Sequence, residues 1–136
     1  MELLRKHWFD VGAALALILI IILVTTMGLD FSNIRFVLWL SLASLFLHQF
    51  EEYRYPGYFP GMMNIVMFES KQPDRFPLNE QTSVVVNVFM GWTSYALAAI
   101  FGEQAIWLGI ATMLVSFGNF VAHTLIFNLK GQVKTI

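Results

Sequence analysis

Four long apolar runs govern what this chain can fold into. A helix needs roughly 20 mostly apolar residues to cross about 30 Å of hydrocarbon. Val11 to Met27 carries no charge and runs on from Trp8 and Phe9. Ile34 to Phe50 is interrupted only by Arg35. Val84 to Phe101 and Ala105 to Phe127 are joined through Gly102 and Glu103, a link too short for anything but a tight antiparallel pair. The expected fold is therefore all-α, a four-helix transmembrane bundle in a single domain over residues 1–136. Its spans are expected near residues 9–28, 34–51, 84–101 and 105–127. Composition agrees with this: 57% of the residues are hydrophobic and 12% charged, against about 25% charged in a soluble domain. The surplus apolar surface is expected to face lipid. A secretory signal in the first run is the competing reading, but VTTMGLD offers no small-x-small cleavage site.

Charge placement predicts the orientation. With four spans, the N-terminus, the long loop from Glu51 to Ser83 and the C-terminus share one side. Seven of the eight basic residues fall there (Arg5, Lys6, Arg54, Lys71, Arg75, Lys130 and Lys134), and only Arg35 falls opposite. Cytoplasmic loops carry the excess of Lys and Arg, so both termini are expected inside, in a bacterial cytoplasmic membrane. Trp8, Trp39, Trp92 and Trp107 lie mostly near span ends, as an interfacial aromatic belt predicts.

The long loop is more than a linker. It opens with RYPGYFPG, where Pro56 and Pro60 are expected to stop helix. MMNIVMF follows, too short to span yet apolar enough to lie in the interface or re-enter it. ESKQPDRFPLNEQTS then returns to water. The net charge of −1 offers no basic patch for nucleic acid, and the absence of cysteine removes thiolate ligands and disulfides.

Polar groups inside apolar spans are costly, so each one points to a functional site. Span two ends in LFLHQFEEY, placing His48, Glu51 and Glu52 at i, i+3 and i+4 on one side of a helix. Span four contains Asn119 and His123, again i and i+4. Span three places Asn87 about a turn inside the membrane. On the expected topology all of these fall at a similar depth, and they are read as one polar cluster at the cytoplasmic end, which His7 could join.

Two imidazoles and two carboxylates suit a divalent metal, with zinc favoured over iron or manganese. The candidate ligands are His48, Glu51, Glu52 and His123, one glutamate being free to act as general base. Asn87, Asn119 and Tyr58 are candidates for orienting ligands or substrate. The plainer alternatives are that Glu51 and Glu52 form a solvated helix end paired with Arg54, and that the histidines and asparagines only bond neighbouring helices.

His48-Gln49-Phe50-Glu51-Glu52 resembles the pattern of the HXXEE-domain family of small membrane proteins. His123, in NFVAHTLIF, is similar to that family's second histidine, and Tyr58-Phe59-Pro60-Gly61 matches the letters of its Tyr-x-Pro-Gly motif. The family's copy of that motif is expected after the second histidine, which leaves room for a fifth span beyond Ile136. The resemblance implies a catalytic role for the His and Glu residues without naming a reaction. The expected function is a membrane-embedded, metal-dependent hydrolase or transferase acting on a lipid or another amphiphile at the cytoplasmic interface. The alternatives are a proton-coupled transporter, with a homodimer supplying its symmetry, and a non-catalytic accessory subunit.

Overall fold

The computed structural model describes residues 2–55, 57–127 and 129. All of the regular structure among them is helical. Helix α1 spans Glu2–Met27 and ends where Gly28 takes a φ of +66°. A short turn follows, closed by Asp30, whose carboxylate accepts from Ser32 N at 3.0 Å and Ser32 Oγ at 2.6 Å. Asn33 then caps α2 (Ile34–Arg54), its side chain accepting from Arg35 N and Phe36 N. Such caps satisfy amides that have no partner within the helix.

Helix α3 (Phe59–Phe68) fills the apolar middle of the long loop. Pro60 lies in its first turn and so opens a helix instead of stopping one, because an amide there has no intrahelical acceptor to lose. Pro56, the other expected stop, lies outside the described residues. The tie between α3 and the following loop is Asn64, which is fully buried. Its Nδ2 donates to Pro73 O at 2.6 Å and Leu78 O at 2.8 Å, while its Oδ1 accepts from Leu78 N at 2.9 Å.

Helix α4 (residues 80–101) begins at the cap residue Asn79, whose side chain and backbone exchange hydrogen bonds with Thr82. It is π-helical over Val85–Trp92 and α-helical again over Thr93–Phe101. Gly102, at φ +55°, starts a 3₁₀ turn through Ala105. Helix α5 (residues 106–127) returns, with a π-helical end over Ala122–Phe127. Tyr95 fastens this hairpin, its OH donating to Thr112 O at 2.8 Å and meeting Ser116 Oγ at 2.7 Å.

Helix α2 is the centre of the packing. Its Leu42, Ala43, Leu45 and Phe46 are buried with Ala16 of α1 and Tyr95 of α4, and its Leu38 with Ala98 and Ala99. The outward faces of the other helices are apolar and bare: Leu17, Ile21, Phe89, Leu114 and Phe117 are 61–69% exposed. Monomeric soluble proteins rarely expose apolar patches of that extent. Arg5–Met27 and the stretch Glu80–Ile126, which the Gly102 turn folds in two, are long and apolar enough to cross a membrane. Helix α2 does not meet the same measure, because its last turns hold His48, Gln49, Glu51 and Glu52. The tryptophans do not form a uniform outer belt. Trp107 is exposed, but Trp8 is buried and Trp39 and Trp92 pack against the core. The tail beyond residue 129, with its two lysines, and any fifth span lie outside the described residues.

Candidate metal centre

The last turns of α2 bring their polar side chains to two different neighbours. His48 and Glu52, one helical turn apart, face α5. There His123 Nε2 lies 2.7 Å from Glu52 Oε1, a hydrogen bond between residues 71 apart in the chain. His48 Nε2 lies 3.1 Å from the same oxygen. That contact is an ion pair when the imidazole is protonated. The two imidazole rings meet edge to face at 4.9 Å. Two imidazole nitrogens thus converge on one carboxylate oxygen, and the carboxylate itself is only 8% exposed.

The ligand atoms of His48, Glu52 and His123 all lie within 4.8 Å of one another, and the group could hold a metal ion. Bonds from such donors to zinc would be about 2.0–2.2 Å long.

Glu51 does not join the three. It is exposed, and it lines two cavities that flank them. One, of about 350 Å³, also reaches His48, Asn119 and His123. The other, of about 200 Å³, is closed by α3 through Tyr58, Phe59 and Met62. Phe59 stacks on His123 at 5.2 Å with the rings 17° apart, so α3 forms a wall of the site. Asn119 and Tyr58 are therefore placed at the cavities and not among the converging atoms. Tyr58 also lies across Gly61, where a Cβ would overlap its ring.

Asn87 goes elsewhere. Its Oδ1 accepts from Gln49 Nε2 at 3.0 Å, and its Nδ2 donates to Tyr53 OH at 3.0 Å and Ser83 O at 2.9 Å. Trp92 Nε1 completes the set by donating to Gln49 Oε1 at 2.7 Å. The expected single cluster is thus two polar sets, one residue out of phase on α2. Nor does Arg54 pair with the motif glutamates: it meets Asp10 of α1 at 3.5 Å, and His7 pairs with Asp10 at 2.8 Å instead of reaching the centre. Sequence reading missed Gln49, Tyr53 and Trp92. The signal was present in the spacing, since Gln49 and Tyr53 are also i and i+4.

Fold and site together define a small all-helical protein with a half-buried His-Glu-His group between two helices. Over residues 39–133 the chain matches the family described as proteins of unknown function with an HXXEE motif, and it belongs to that family. Neither the curated proteins nor the solved structures yield a match.

Proposed function

We propose that the chain is a four-span membrane protein whose His48-Glu52-His123 group is the metal centre of a hydrolase or transferase. The amphiphile it acts on would be drawn from the cytoplasmic interface. Bare apolar outer faces on α1, α4 and α5 support the membrane reading, and the excess of basic residues on one side supports the N-in, C-in arrangement. The observation that carries the site is the meeting of two imidazole nitrogens on one buried oxygen.

Three protein ligands with a cavity beside them is the pattern of catalytic zinc sites, which keep a position open. Zinc is our preferred occupant because two imidazoles and a glutamate make a known catalytic zinc set, although without a thiolate the donors themselves do not choose among zinc, iron and manganese. When bound, such an ion supplies Lewis-acid polarisation and acidifies water. The chain supplies the rest. Glu51, exposed on the cavities beside the group, would take a proton from a nucleophile. Asn119 offers an amide to an ester or amide substrate, and the α3 wall limits access of bulk water.

Elemental analysis of detergent-purified protein tests this directly. Near-stoichiometric metal in the wild type, lost in both His48→Ala and His123→Ala, is the expected outcome. Metal content unaffected by both substitutions would refute the centre. A proton-coupled carrier is the second reading, supported by the 2.7 Å His123–Glu52 contact, which has the geometry of a relay. It gains ground only if the wild type carries no metal.

A further inference from the structure

On the α1–α4 side of α2, a polar cavity and an apolar groove adjoin. The cavity, of about 330 Å³, lies between the first turns of α1, the loop after α3 and the start of α4. Its size is within the range of small-ligand pockets, roughly 300–1,000 Å³. Arg5 and Lys6 line it from α1, while Asp74 and Glu80 line it from the loop and α4. Aromatic rings line it as well, Trp8 meeting Tyr53 edge to face at 4.8 Å. Ser83 also lines the cavity. It is 1% exposed and lies beside the Tyr53 hydroxyl. The groove, of about 410 Å³, shares Arg5 and Trp8 with the cavity and continues along Val11, Val88 and Phe89.

We infer that this paired cavity and groove bind a zwitterionic glycerophospholipid, headgroup in the cavity and one acyl chain in the groove. Arg5 and Lys6 meet the phosphate through charge-assisted hydrogen bonds. Asp74, Glu80 and the aromatic faces receive the ammonium, carboxylates by charge and rings by their quadrupole. Opposed charges across one cavity separate this ligand from a purely anionic lipid, which the two carboxylates repel. The inference rests on the chain lying in a bilayer and is independent of the metal centre, none of whose three residues lines either space.

Native mass spectrometry of protein released from detergent carrying equal phosphatidylethanolamine and phosphatidylglycerol, with matched chains, tests it. The wild type is expected to retain phosphatidylethanolamine several-fold over phosphatidylglycerol. The double variant Asp74→Asn/Glu80→Gln loses that preference. Val88→Trp, which fills the groove and leaves every charge in place, loses both adducts. Unchanged helical circular dichroism and a single symmetrical elution peak in detergent report that all variants fold. Equal retention of the two lipids by the wild type, or a preference that survives the double variant, overturns the inference. Protein that stays in solution without detergent would instead defeat the membrane reading itself.

Discussion

Glu52 on α2 and His123 on α5 meet at 2.7 Å across 71 residues of chain. The pairing selects between the two glutamates of the motif. At i+4 from His48, Glu52 is carried under the imidazole and buried; at i+3, Glu51 stays exposed at the cavities. The motif therefore contains two carboxylates in different surroundings, and separate roles follow from that difference.

Glu52→Gln and Glu51→Gln should accordingly behave differently. The first removes a converging charge, and metal affinity should fall by more than the roughly 10–100-fold typical of losing an outer-shell partner. The second should leave metal content unchanged while abolishing any hydrolytic turnover. Competition against a chromogenic chelator reads the affinities, and equal metal loss in both variants would contradict the assignment.

Gln49→Leu removes the bridge between Asn87 and Trp92, leaving both without their amide partner. Interhelical hydrogen bonds in membranes are worth about 0.6 kcal/mol on average and up to about 1.7. Because two are lost at a site only 2% exposed, the cost should lie at the upper end. Reversible unfolding in mixed micelles measures it, and a stability equal to wild type would show the network to be incidental.

Asn64→Ala deletes three hydrogen bonds to the loop at Pro73 and Leu78. Buried carbonyls and an amide lose their partner, at a cost of roughly 1–3 kcal/mol. The loop between α3 and α4 should become the first site of limited proteolysis, while the α4–α5 hairpin stays protected. Unchanged cleavage kinetics would argue against the clasp.

A methyl group at Gly61 would overlap the Tyr58 ring. Gly61→Ala should therefore displace Tyr58 and destabilise by about 1–3 kcal/mol, as overpacking does. Adding Tyr58→Ala removes the overlap and should recover most of the loss in thermal unfolding. If the double variant is no more stable than the single one, the contact is not the cause.

Much of the helical layout was legible because apolar run length is a one-dimensional signal. The expected spans near 34–51, 84–101 and 105–127 lie within or on α2, α4 and α5, and Gly102 turns the last two as the short link predicted. The site was legible as residue types and spacing, which bring His48, Glu52 and His123 together. Helical phase was less accessible. Positions i+3 and i+4 both point the same general way, so nothing in the letters separates Glu51 from Glu52, and only the facing helix does. Asn87 lies in the early turns of α4, as expected, but meets Gln49 and Tyr53, so position along the helix alone assigned it to the wrong set. Asn64 was hidden inside an apolar string, because its partners are backbone atoms that carry no sequence signature.

Helix α2 bears its two polar pairs one residue, about 100°, apart: His48 and Glu52 toward α5, Gln49 and Tyr53 toward α4. The Gln49 bonds to Asn87 and Trp92 thus act as an index pin on the helix's rotation. A rigid rod cannot turn to improve its aim at one neighbour without unseating the other. The aim of the His-Glu-His group is therefore fixed by residues that touch none of its atoms, and a repacking of α4 is expected to register at α5 as a change in bearing.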